Sequence, residues 1–194
     1  LRGEGIAYDL NAEDRPLSPD ELVSRLRGRE GLLCLLTDRV DDDLLSRCPS
    51  LKGIAVAAAG YDNIDAAAAA RRGIQVSNAP GVLTETTADL AWALLLAVAR
   101  RIPEADRYTR SGRFERWGIA LMLGADIHGK TLGIVGAGRI GTAVAMRSRG
   151  FGMRLLYCSR RRNEVMEREL GARRATLDAL LAGSDFVSLH VPLT

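Results

Sequence analysis

The strongest constraint on this chain is the stretch Gly133-Ile134-Val135-Gly136-Ala137-Gly138-Arg139-Ile140-Gly141. It reads as the end of a buried strand, a turn that suits only glycine and the start of a helix. Leu132, Ile134 and Val135 form an apolar β run before the turn, and Ile140, Val144 and Arg147 follow it at helical spacing. A dinucleotide pyrophosphate needs that geometry. Gly136 permits the tight turn, Gly138 leaves the backbone open to the phosphates, and Gly141 lets the helix lie close to the strand. The unpaired N–H groups at the helix start, around Arg139, Ile140 and Gly141, would face the anion with the positive end of the helix dipole behind them. The alternative is a plain strand–turn–helix corner with no ligand.

The segment after the next strand bears on which dinucleotide fits. Met153 to Cys158 reads as that strand. An NAD site places an acidic residue near its end, about 20 residues past the glycines, to hold the ribose 2′-hydroxyl. Here Cys158, Ser159, Arg160, Arg161 and Arg162 occupy the region, with no carboxylate before Glu164. Serine and arginine donate to a 2′-phosphate, whereas a carboxylate repels it. One charge-assisted bond of this kind contributes about 1.5–3 kcal/mol. The reading is therefore NADP, with NAD possible, and Ser159, Arg160 and Arg161 as candidate 2′-phosphate ligands. The alternative is a solvated basic cluster. Against it, the arginines precede a helix start capped by Asn163, where cations are disfavoured unless an anion is near.

Composition narrows the class. Of 194 residues 47% are apolar, as in an ordinary globular protein. The net charge is only +3, with both signs interspersed, which argues against a nucleic-acid partner. Leu90 to Ala99, the longest apolar helix candidate, is too short to cross a bilayer. No secretory leader is visible. The three cysteines Cys34, Cys48 and Cys158 lack metal-ligand or disulfide-framework spacing. That points to reduced thiols in a cytoplasm and to no metal site. Cys158 reads as a packing residue.

Strands and helices alternate along the chain, which gives an α/β class with parallel sheets. Ser18-Pro19-Asp20-Glu21 is a capping box that starts a helix to about Leu26. Strands are expected at 32–36, 54–58 and 74–77, with short helices from Asp41 and Asp65 between them. Pro80 marks a change, giving domains at 1–79 and 80–194. Thr86 and Asp89 form a second capping box before the helix Leu90–Ala99. That helix is apolar on nearly every face and is expected to be buried all round, between two domains near 87–101. A polar helix from Glu104 to about Arg110, a strand ending at the glycines, helices at 164–170 and 177–181 and a strand at 185–191 complete the reading. The chain starts at Leu1 without a methionine and ends just after a strand, so both ends read as cut.

Four stretches carry a family likeness: Ala58 to Asp65 (AAGYDNID), Asn78 to Ala88 (NAPGVLTETTA), Gly129 to Gly136 (GKTLGIVG) and His190 to Thr194 (HVPLT). With them in order, the chain resembles the D-isomer-specific 2-hydroxyacid dehydrogenases, nearest the glyoxylate/hydroxypyruvate reductases. The resemblance implies an incomplete Rossmann-type doubly wound parallel sheet plus an incomplete flavodoxin-like α/β substrate domain, with the active site in the cleft between them. It implies hydride transfer between a nicotinamide and a small 2-oxo or 2-hydroxy acid, in a homodimer built around the long apolar helix. Ala59 and Gly60 would bind the substrate carboxylate through backbone N–H groups, although the residues alone read as an ordinary tight turn. Thr87 would sit near the nicotinamide, and Val191 and Pro192 would line the adenosine side. Trp117 would belong to a dimer loop, or else be a packing aromatic. The arginine, glutamate and histidine of the family's chemistry would fall after Thr194, so no catalytic residue is assigned here, and the fragment is expected to be inactive. His128 reads as a surface residue and His190 as a packed neutral imidazole. A coenzyme-sensing corepressor on the same scaffold, or another member such as a phosphoglycerate or phosphonate dehydrogenase, is an alternative.

Overall fold

A computed structural model describes residues 5–13 and 15–192. The chain divides into two compact units, Leu1–Leu83 and Thr84–Thr194.

In the first unit, helix α1 (Pro19–Leu26), strand β1 (Gly31–Cys34), helix α2 (Asp42–Arg47), strand β2 (Gly53–Val56), helix α3 (Ala66–Arg71) and strand β3 (Gln75–Ser77) alternate. The strands form a parallel sheet in the order β1-β2-β3. Each helix starts on a side chain that takes up an orphan N–H group. Ser18 accepts from the Glu21 amide, and the Glu21 carboxylate accepts from the Ser18 amide, so the capping box is present. Asp41 and Asp65 accept from the Leu44 and Ala68 amides. Alternation along the strands sends Cys34, Ile54 and Val56 to one face. There they meet Leu22, Leu26, Leu44, Leu45, Ala68 and Ala69 in one core. Strand β1 stops short of the expected Leu36. The Leu35 amide leaves the ladder and donates to the Asp38 carboxylate at 2.8 Å, which turns the chain and leaves Leu35 and Leu36 exposed.

The second unit runs α4 (Thr84–Ala99), α5 (Ile102–Arg110), β4 (Thr131–Val135), α6 (Arg139–Arg147), β5 (Arg154–Cys158), α7 (Glu164–Leu170), β6 (Arg173–Arg174), α8 (Leu177–Gly183) and β7 (Phe186–Leu189). Its four strands are parallel in the order β6-β5-β4-β7. Strand β6 has only two residues, both arginine, and no apolar pattern announces it. The core gathers Leu132 and Ile134 of β4, Leu155 and Tyr157 of β5, Val144 of α6 and Met166 of α7.

Two expectations for α4 fail. The helix begins at Thr84, so Thr86 lies inside the first turn and does not cap it. Asp89 instead pairs with Arg147 of α6, whose guanidinium also bonds Glu85. Nor is α4 buried all round. Ala88, Trp92 and Ala99 are buried, whereas Leu90, Leu94 and Val98, at four-residue spacing, are 58%, 57% and 76% exposed. One stripe of an apolar helix is enough to fill the space over α6, and the opposite stripe stays outside the unit. Trp92 forms the centre of the contact. Its indole N–H donates to the Val144 carbonyl at 2.8 Å, and its ring stacks on Phe151 at 4.7 Å. Arg101, in the left-handed region, separates α4 from α5.

Candidate functional site

The chain builds β4, β5 and β6 outward in one direction and then returns to place β7 on the other side of β4. Such a reversal opens a crevice beyond the carboxyl ends of the strands on either side of it, where open α/β sheets bind ligands. The glycine turn follows β4 at that point. The Gly136 amide donates to the Cys158 carbonyl at 2.8 Å, and the His190 amide donates to the Val135 carbonyl at 2.7 Å, so β5 and β7 flank the turn.

The three glycines differ in what a side chain would meet. Gly136 has φ +97°, and a Cβ there would collide with the His190 carbonyl oxygen. A Cβ on Gly141 would collide with the Gly136 carbonyl oxygen, so α6 lies directly on the turn. At Gly138, the N-cap of α6, a Cβ would meet nothing within 4 Å. No side chain caps α6. The N–H groups of its first turn, at Arg139, Ile140 and Gly141, therefore have no side-chain acceptor, and the N-cap position beside them is open. That combination fits a phosphate group. Val191 is exposed and has its Cγ1 beside Gly136, and Pro192 follows it. Leu193 and Thr194, the end of the fourth family stretch, lie outside the described residues.

Ser159, Arg160 and Arg161 leave the end of β5, one to three residues past the strand partner of Val135. Arg174 of β6 donates to the carbonyls of Ser159 and Arg160 at 2.9 and 3.1 Å and so fixes their backbone. The guanidinium groups of Arg160 and Arg161 are exposed and make no ion pair among the described residues. Arg162 differs: its Nε bonds Glu167 at 2.6 Å. The anion expected near these arginines is, for Arg162, a counter-ion in the next helix; Arg160 and Arg161, the candidate phosphate ligands, have none among the described residues. Glu167 also accepts from the buried Tyr157 hydroxyl, at 2.6 Å. The two bonds hold its carboxyl below the usual carboxylate range. Sequence alone finds Asn163 as the cap of α7, and its Oδ1 does accept from the Met166 amide. It misses that the same amide group reaches back to the glycine turn, donating to the Ala137 carbonyl at 3.0 Å and to Thr142 Oγ1 at 2.8 Å. Those partners are 26 and 21 residues away, and no local pattern encodes them.

Thr87 is exposed on the first turn of α4, and no hydrogen bond joins it to the glycine turn among the described residues. Ala59 and Gly60, in the first unit, follow the end of β2. Both are exposed, and the Ala59 carbonyl is held by Asn78 Nδ2 at 2.7 Å. Neither of their N–H groups donates within the described residues. Trp117 is 76% exposed, which corrects its reading as a packing aromatic of this chain. Cys34 and Cys48 are buried, Cys158 is half-buried, and all are free thiols. Burial pushes the Cys34 and Cys48 thiols up, so they stay protonated. Among the described residues no cluster can hold a metal, and no helix is long and apolar enough to cross a membrane.

His128 sits in an exposed turn. His190 is half-buried, with Nε2 2.8 Å from Ser188 Oγ, and burial lowers its pKa below the ordinary imidazole value. It is therefore neutral at pH 7. The unfolded chain takes up this proton first on acidification, at about pH 6.5. Stability contributed by the neutral ring is complete above that pH and falls as pH drops toward the lower folded value. Thermal melts from pH 7 to 5 should show a steeper decline for the parent than for His190→Gln, and parallel declines would refute this role.

Residues 92–194 match the sequence profile described as "D-isomer specific 2-hydroxyacid dehydrogenase, NAD binding domain". A glyoxylate reductase of Korarchaeum cryptofilum is 52% identical over 192 residues, which cover 98% of this chain and 58% of that protein. The crystal structure of the TT0316 protein from Thermus thermophilus superposes with a TM-score of 0.94 at 45% identity, covering all of this chain and 60% of that one. A D-lactate dehydrogenase from Aquifex aeolicus, solved with NAD and lactic acid, gives 0.80 at 32% identity, covering 89% and 51%. The chain thus spans a little under three-fifths of the curated relative it matches. The fold and the glycine turn at its switch point agree with this match, and the chain belongs to the D-isomer specific 2-hydroxyacid dehydrogenase family, whose NAD(P)-binding Rossmann domain it carries.

Proposed function

We propose that the protein carrying this chain reduces a small 2-oxo acid, glyoxylate or hydroxypyruvate, to the D-2-hydroxy acid with NADPH. The open Gly138 at an uncapped helix start, placed at the switch point of a parallel sheet, is the observation that supports it most. The likeness to a glyoxylate reductase supports the substrate class. Bound there, the coenzyme supplies the hydride that adds to the 2-oxo carbon. This chain's residues bind and orient. The first-turn amides of α6 take the pyrophosphate, Val191 and Pro192 flank the adenosine, and Thr87 lies toward the nicotinamide. The free amides of Ala59 and Gly60 take the substrate carboxylate, a role for which exposed backbone donors are suited. Neither His128 nor His190 is assigned the proton transfer. The likeness also supports a homodimer, for which Leu90, Leu94 and Val98 offer an apolar stripe. Following NADPH oxidation by the full-length protein with glyoxylate and hydroxypyruvate tests the proposal, and the absence of turnover with every short 2-oxo acid rejects it.

The NADP preference rests on Ser159, Arg160 and Arg161. Arg160→Ala in the full-length protein should weaken NADPH by about tenfold to a hundredfold, one charge-assisted contact, and leave NADH nearly unchanged. Titration with both coenzymes checks it. Equal losses would mean that Arg160 does not touch the 2′-phosphate.

A further inference from the structure

We propose that Asn163 is a positioning residue that latches the 2′-phosphate segment onto the pyrophosphate turn, so that both halves of the coenzyme are gripped in one fixed geometry. The inference rests on the assignment of those two segments to NADPH.

Thr142 Oγ1 settles the orientation of the Asn163 amide. The hydroxyl has one proton, and it donates that proton to the Gly138 carbonyl at 2.7 Å. Toward Asn163 it can only accept, so the group facing it at 2.8 Å is the NH2. The second proton of that NH2 goes to the Ala137 carbonyl, and Oδ1 is left to cap Met166. All these partners are consistent with a single amide orientation.

Fixing the Ala137 carbonyl has an effect one atom further on. The peptide plane is rigid and trans, so the C=O of Ala137 and the N–H of Gly138 point in opposite directions. Turning that carbonyl onto Asn163 aims the Gly138 N–H away from it. The Gly138 N–H donates to nothing among the described residues, and the space at Gly138 is open. Asn163 therefore presents a backbone donor to the phosphate site without touching the ligand.

The other end of the latch is the Ser159–Arg162 segment. Arg174 holds the carbonyls of Ser159 and Arg160 at its start. At its end the Asn163 backbone N–H donates to the Tyr157 hydroxyl at 3.0 Å, and Tyr157 donates to Glu167, which pairs with Arg162. Among the described residues, Asn163 is the member of this network whose side chain also bonds the glycine turn. Capping alone requires only Oδ1, and serine or aspartate would do that equally well.

The test uses the full-length protein and measures dissociation constants for NADPH and NADH, well below the melting temperature. Asn163→Ser keeps a capping oxygen and adds no charge, but it removes the amide donors. It should weaken NADPH about tenfold and NADH about threefold, because NADH engages only the turn. In an Arg160→Ala background its effect on NADPH should shrink to the NADH value. Thr142→Val leaves the α7 cap in place and removes one of the two acceptors of the Asn163 NH2, so it should weaken both coenzymes and NADPH more than NADH; it decides the matter if Asn163→Ser does not fold. Unchanged constants, or equal losses for both coenzymes in both backgrounds, would overturn the latch. Should Arg160→Ala leave the ratio of NADPH to NADH affinity unaltered, the assignment of the 2′-phosphate segment is what fails.

Discussion

Gly138→Asp should abolish coenzyme binding while making the fold slightly more stable. The position is the N-cap of α6, with extended backbone at φ −80° and ψ −163° and no side-chain acceptor for the first turn. An added Cβ meets nothing within 4 Å, so the substitution fits without strain. Aspartate is among the best N-caps, and its negative charge suits the positive end of the helix. The gain over glycine is about 0.3 kcal/mol. Its carboxylate would occupy the N–H groups that the pyrophosphate needs and would stand as a like charge beside it. Loss of two charge-assisted bonds, at about 1.5–3 kcal/mol each, lowers affinity by more than about a hundredfold. Calorimetric titration of the full-length variant with NADPH, next to a thermal melt, reads both effects. Binding at the parent affinity would show that the phosphates lie elsewhere.

Trp92→Ala should cause the largest loss of stability. The residue is 5% exposed, stacked on Phe151 with the rings 9° from parallel, and hydrogen-bonded to Val144. Removing a buried tryptophan costs about 3–5 kcal/mol, transfer free energy plus the cavity left behind. For a unit of this size that lowers Tm by about 10–20 °C. Trp92→Phe keeps most of the apolar contact and loses the N–H donor, so it should cost only about 1–2 kcal/mol. Denaturant unfolding followed by circular dichroism separates the two variants. Losses of equal size would mean that the hydrogen bond, not the ring, holds α4 on α6.

The parts of the fold that sequence reveals are those set by neighbours along the chain. The Ser18–Glu21 box, the Asp41, Asp65 and Asn163 caps and the Gly171 stop each depend on residues within four positions, and each is present. The glycine turn is legible for the same reason, since its spacing fixes its geometry. What escaped is set by distant partners. Strand β6 exists because Leu156 and Tyr157 offer an edge to Arg173 and Arg174, and two arginines carry no β signal of their own. The bare stripe on α4 could not be foreseen from hydropathy, which is the same on both faces of that helix. Asp89 looked like half of a capping box, but Arg147, 58 residues away, claims it. In the candidate site the sequence singles out Ser159, Arg160 and Arg161, and it does not reveal that Glu167 supplies a counter-ion to Arg162 beside them.

Gly136 and Gly141 constrain one another sterically: the carbonyl of the first stands where a side chain on the second would go. Neither can drift without a backbone shift, whatever the protein is used for. At Gly138 a Cβ would meet nothing within 4 Å, so on the proposed reading a bound coenzyme is what keeps the position glycine. A lineage that abandoned the coenzyme should thus retain the outer pair and mutate the middle position first, leaving a signature of lost binding inside an unbroken scaffold.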